Sequence, residues 1–119
     1  MNTKLTETEA KFADIIWENE PLKSTELVRL CESGLGWKKS TTYTVLRQLC
    51  ERGIFQNVDA VVSACVTREE FYGRQGRELV KHAFSGSLPK FLTAFIGQRM
   101  MSDAEVEELK ALIEQHREG

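Results

Sequence analysis

The sequence predicts a mainly α-helical protein with a small β-hairpin, on three observations. Apolar residues recur at helical spacing in six separate stretches. Three of those stretches open on a Ser/Thr-x-x-Glu box, the signature of a helix start. Between the third and fourth stretches lie two short runs rich in β-branched residues, at 54–58 and 61–66.

Thr6-Glu7-Thr8-Glu9 is the first box. After it Ala10, Ala13, Ile16 and Trp17 fall on one helical face, with Phe12 and Ile15 beside them. Pro21 ends this helix near Asn19, because the residue before a proline is pushed out of the helical region. Ser24 is the expected N-cap of a second helix, with Leu27, Val28 and Cys31 as its stripe and Gly34 as its stop. Leu35-Gly36-Trp37 reads as a turn. The third helix is expected over 39–52, with Thr42, Val45, Leu46, Leu49 and Cys50 inward and Gly53 as its terminating glycine. The β-branched runs can pair across Asp59-Ala60 as a two-stranded hairpin.

Thr67-Arg68-Glu69-Glu70 opens a fourth helix reaching about Phe84, weakened by Gly73 and Gly76 at about 1 kcal/mol each relative to alanine. Ser85-Gly86-Ser87 breaks the chain. A fifth helix is expected over 88–99, with Leu88, Phe91, Leu92, Phe95 and Ile96 on one side. Ser102-Asp103-Ala104-Glu105 starts the last helix, which aligns Val106, Leu109, Leu112 and Ile113.

Three helices and a hairpin can close a small core within residues 1–66. Residues 67–119 cannot do so easily, because their apolar stripes are long and little chain remains to cover them. A second copy would cover them, so this region is expected to dimerise with twofold symmetry. Its contact residues are expected to be Leu79, Leu88, Phe91, Leu92, Phe95, Val106, Leu109, Leu112 and Ile113.

The chain has 119 residues, 29% charged and 41% hydrophobic, the balance of one or two small folded domains. No apolar run approaches the ~18 residues of a membrane-spanning helix. Residues 1–11 are polar, so no secretory signal is expected and the chain reads as cytoplasmic. Cys31, Cys50 and Cys65 are widely spaced with no Cys-x-x-Cys, which encodes neither a disulfide framework nor a zinc ribbon. They read as packed, reduced thiols. His82 and His116 have no metal-ligand partner at i+3 or i+4. Met100-Met101 reads as packing into the dimer. No nucleophile–base arrangement or glycine-rich phosphate loop is present, so neither an enzyme nor a cofactor is expected.

The net charge of −2 argues against a polyanion partner until it is resolved along the chain. Residues 37–53 hold Lys38, Lys39, Arg47 and Arg52 against Glu51 alone. Such an excess is either a solvated face or the footprint of nucleic acid. On the third helix Ser40, Tyr43, Thr44 and Arg47 stand at i, i+3, i+4 and i+7 and so face outward together. Lys38, Lys39 and Thr41 gather at its start, where free backbone N–H groups favour an anion. Serine and threonine can bond base edges, a threonine methyl can meet a thymine methyl, and arginine can chelate guanine. Lysines at the helix start hold phosphates, which position a helix without reading sequence. Tyr43 has three roles open to it: phosphate contact, base contact and plain exposure. Trp37 reads as a wedge fixing the helix to the core. The order of three helices followed by a hairpin is that of a winged helix-turn-helix. A winged helix can also serve as a protein-interaction adaptor without specific DNA binding, and the acidic total and uncharged hairpin fit that alternative.

The chain resembles the penicillinase-repressor family of winged-helix transcriptional repressors (BlaI/MecI/CopY type). The resemblance rests on Leu5-Thr6-Glu7-Thr8-Glu9, Ile15-Ile16-Trp17-Glu18, the run 36–49 from Gly36-Trp37 to Gln48-Leu49, Arg52-Gly53-Ile54, 63–71, Gly86-Ser87-Leu88 and 102–113. It implies an N-terminal winged helix on operator DNA and a C-terminal helical dimerisation region. It also implies release by an inducer, a protease or a regulatory partner. Family DNA contacts fall on Lys38, Ser40, Thr41, Tyr43, Thr44 and Arg47. There are three departures. The hairpin 57–62 has no Lys or Arg, and Asp59 would repel phosphate. Ala94-Phe95 stands where antibiotic-responsive members are cleaved at Asn-Phe. No cysteine follows Cys65, whereas copper-responsive members carry C-terminal Cys-x-Cys pairs.

Overall fold

The computed structural model describes residues 4–118. Helix α1 (Glu7–Asn19) begins on a complete capping box: Thr6 Oγ1 accepts from the Glu9 N–H at 3.1 Å, and Glu9 Oε1 accepts from the Thr6 N–H at 2.9 Å. A short strand β1 (Leu22–Lys23) follows, then α2 (Ser24–Leu35), α3 (Lys39–Glu51), β2 (Phe55–Val58) and β3 (Val61–Ala64). Helices α4 (Arg68–Ala83), α5 (Leu88–Ile96) and α6 (Asp103–Gln115) complete the described chain. The fold is thus mainly helical, a winged helix followed by a helical region, as the sequence predicts.

The sheet has three strands, not two. β3 lies in the middle, pairing antiparallel with β2 and with β1 through Leu22↔Val62 and Lys23↔Val61. A strand of two residues is too short to leave a period in the sequence.

Three boundaries also differ from expectation. Ser24 is the first residue of α2 rather than its cap. It is buried, and Lys23 stands at the N-cap without a side-chain bond. Gly34 lies inside α2, and the helix ends at Gly36, whose φ of 68° only glycine adopts without cost. α5 stops at Ile96 rather than near Arg99, because Gly97 turns to φ 58°.

The core gathers Phe12, Ala13 and Ile16 of α1, Leu27 and Cys31 of α2, and Thr42, Leu46 and Leu49 of α3. Ile54, Phe55 and Val62 close it from the sheet side, and Phe71 from α4. Trp37 stacks on Phe12 with centroids 5.4 Å apart, which is the wedge the sequence predicts. Trp17 packs against Phe55 and Phe71 at 5.3 and 5.8 Å and donates its indole N–H to the Val66 carbonyl at 3.1 Å. A half-buried indole thus keeps its polar group satisfied.

The chain forms two compact units, Met1–Leu79 and Val80–Gly119, dividing within α4. Phe71 ties the start of α4 to the first core, whereas α5 and α6 bury no residue at all. In the second unit, Phe91 meets Phe84 edge-on and Phe95 at a tilt, each with centroids 5.5 Å apart. Among the described residues no helix is long and apolar enough to cross a membrane.

Cys31 is buried and Cys50 half-buried, as the helical stripes imply, but Cys65 lies just past β3 and is exposed. Burial pushes the Cys31 and Cys50 thiols above their ordinary pKa, so little thiolate forms there near neutral pH. Titration of the folded protein with an aromatic disulfide reagent is expected to show one fast thiol per chain, lost in Cys65→Ser. Unfolding in denaturant should release all three.

Candidate nucleic-acid interface

Helix α3 owes its position to its buried side. Thr42, Leu46 and Leu49 are essentially inaccessible, and Val45 packs against the same core. That orientation leaves Ser40, Thr41, Thr44 and Arg47 exposed, together with Lys38 and Lys39 at the start. Lys38 is the N-cap residue and makes no side-chain cap bond. The first backbone N–H groups of α3 therefore remain open beside two cations.

Tyr43 departs from this face. Its ring packs against the core, and its hydroxyl donates to Ser24 Oγ at 3.2 Å. The outward set is thus Ser40, Thr44 and Arg47, with Tyr43 turned toward the start of α2. Two positions matter here that the sequence does not place at this site. Lys23 is exposed at the N-cap of α2, next to Ser24, and adds a cation beside the buried joint. Ser24 itself is separated from Tyr43 by 19 residues, so no periodicity connects them.

The local charge excess is smaller than the sequence count. Arg52 donates to the Lys4 carbonyl at 2.7 Å and lies 3.6 Å from Glu9, so it ties the end of α3 to the start of α1. Arg29 on α2 is likewise engaged. Its hydrogen-bonded contact with Glu26 lowers the carboxyl pKa and raises that of the guanidinium. Lys38, Lys39 and Arg47 remain as the exposed bases of the 37–53 segment, against Glu51.

The hairpin tip is a two-residue turn with Asp59 and Ala60 both left-handed, at φ 52° and 62°. A primed turn of this kind matches strand twist, but alanine adopts it at a cost. The Ser24 N–H donates to the Ala60 carbonyl at 2.8 Å and holds the turn. Val58 and Val61 are exposed beside it, and no cation stands on either strand.

The second unit carries a different surface. Phe95, Leu112 and Ile113 are 65, 51 and 57% exposed and Leu88 is about half exposed, as is Leu79 at the end of the first unit. Phe91, Leu92, Val106 and Leu109 are half-buried. A groove of about 300 Å³ runs between α5 and α6, floored by Leu92, Ile96 and Leu109. Arg99 stands at its edge, 5.9 Å over the Phe95 ring and 3.8 Å from Glu105. Met100 is almost fully exposed and Met101 lines the groove. Among the described residues no cluster of His, Cys, Asp or Glu could hold a metal ion.

Three helices, a three-stranded wing and an exposed, cation-flanked third helix define a winged helix-turn-helix protein. Residues 5–115 match the family described as Penicillinase repressor. The chain is also 17% identical over 118 residues to a penicillinase repressor of Bacillus licheniformis, covering 96% of this chain and 92% of that one. The chain belongs to the penicillinase repressor family, whose members are regulators rather than enzymes.

Proposed function

We propose that the protein is a homodimeric transcriptional repressor that binds a pseudo-palindromic operator, one α3 helix in each major-groove half-site. The observation that carries this reading is the exposed row Ser40, Thr44 and Arg47 on a helix fixed by its buried side, in a chain of this family. In this reading Arg47, Thr44 and Ser40 meet base edges, while Lys38, Lys39 and Thr41 hold phosphates at the open helix start. Lys23 adds a phosphate contact from the start of α2. Residues 1–66 supply DNA binding and 67–119, from α4 onward, supply the dimer contact. The exposed apolar residues of α5 and α6 support a second copy as their cover, since a patch this apolar is seldom left to water. The protein acts in the cytoplasm, where its operator lies, and covering a promoter needs no catalytic group.

Fluorescence anisotropy with the DNA upstream of its own gene tests this reading, against random duplex at two salt concentrations. The expected result is binding that survives random competitor and weakens steeply with salt, because each phosphate contact releases counterion. Half-site centres should lie about one helical turn, or a multiple of it, apart. The β2–β3 hairpin, without a cation and with Val58 and Val61 exposed, favours a second reading, an adaptor that binds protein. Loss of all binding to random competitor would select it.

A further inference from the structure

Tyr43 sits in the middle of the reading helix and yet reaches away from it. Its hydroxyl donates to Ser24 Oγ, and Ser24 is only 4% exposed. The same Ser24 gives its backbone N–H to the Ala60 carbonyl at the wing turn. Lys23 and Leu22, immediately before it, pair with Val61 and Val62 of β3. One small residue therefore joins three parts: the start of α2, the turn of the wing and the middle of α3.

We propose that Ser24 and Tyr43 are positioning residues that set the rotation of α3 about its own axis, and that Tyr43 contributes to operator recognition through this joint rather than by touching DNA. The inference rests on the DNA-binding reading given above. The physical need is plain. The surface of a helix lies about 6 Å from its axis, so a rotation of about 10° moves a side-chain tip by about 1 Å. A bidentate Arg47–guanine contact does not survive a shift of that size, whereas a lysine–phosphate contact does. The buried row Thr42, Leu46 and Leu49 holds α3 against the core, but apolar contacts are not directional. The Tyr43–Ser24 bond is directional, and it lies one residue from Thr44 and four from Arg47.

The test compares Tyr43→Phe, Ser24→Ala and the double variant with the parent protein. Binding is measured by anisotropy on the upstream operator duplex and on random duplex across a salt series, with the melting temperature of each variant beside it. Each single variant is expected to lose about fivefold in the ratio of operator to random-duplex affinity, the scale of one neutral hydrogen bond. The double variant should lose no more than the worse single one, since both remove the same bond. Random-duplex affinity and the salt slope should stay at parent values, which a merely destabilising change would not separate from operator affinity.

An equal loss on operator and random duplex in Tyr43→Phe would overturn the proposal in favour of a phosphate contact, because a hydroxyl on phosphate positions the helix without reading sequence. So would a neutral Ser24→Ala or losses that multiply in the double variant. A parent protein with no operator preference would instead sink the DNA-binding reading. In that case amide shifts in Ser24→Ala decide the joint by themselves: movement at both Arg47 and Ala60 supports it, and silence at either overturns it.

Discussion

Phe95→Glu combined with Leu112→Glu is expected to give a monomer whose operator affinity falls by roughly 10²–10⁴-fold. Both side chains are more than half exposed on the α5–α6 surface, so neither change removes a group from a formed core. Both substituted positions line the groove with Glu105 and Glu108, and Arg99 beside position 95 offsets only part of the added negative charge. In a dimer four such charges would be brought together away from water, a strongly unfavourable arrangement. The large effect comes from linkage. In a dimer the second α3 binds as an intramolecular event, and a monomer forfeits that effective concentration. Sedimentation should show halved mass, and circular dichroism should show the helix content retained. A variant that stays dimeric would place the contact elsewhere. A monomer with undiminished operator affinity would remove the need for a second copy.

Arg47→Ala is expected to weaken operator binding by roughly 30- to 10⁴-fold and to relax preference at one base pair in each half-site, since a dimer loses two bidentate arginine–guanine contacts, each worth roughly 1–3 kcal/mol. Arg47 is exposed on α3, and its loss exposes no core atom. Affinity for random duplex should change far less, because the proposed function gives the phosphate contacts to Lys38 and Lys39. Arg47→Lys should recover little, as an ammonium lacks the planar fork. Anisotropy on the operator and on single-base variants of it reads both effects. An unchanged operator affinity in Arg47→Ala would end the base-reading role of α3 and favour the protein-adaptor reading.

Most of the helical architecture was legible because the signals are local. The Thr6 box is complete in the structure, and Thr67 and Ser102 accept from the N–H three residues on, at 3.0 and 3.1 Å. Gly53 ends α3 with a positive φ, as a glycine at that place should. The inward row of α3 follows from a 3.6-residue period, and its outward row follows with it. Cys65 was misread because strand alternation gives its side no weight once β3 ends at Ala64. Gly34 was misread as a stop because a glycine's φ, not its presence, terminates a helix.

Local patterns in the chain set which residues line each helix face, where most helices begin, and which family the chain resembles. Those properties depend on neighbours within a turn or two, or on an ordered set of short motifs. Packing between distant elements makes Leu22-Lys23 a third strand, ties Arg52 to Glu9 and Lys4, and turns Tyr43 from the outward face of α3 to Ser24. Each of these joins residues 19 or more positions apart. Such pairings arise when packed elements bring distant polar groups within reach, and a buried hydroxyl or guanidinium then takes the partner that lies nearest.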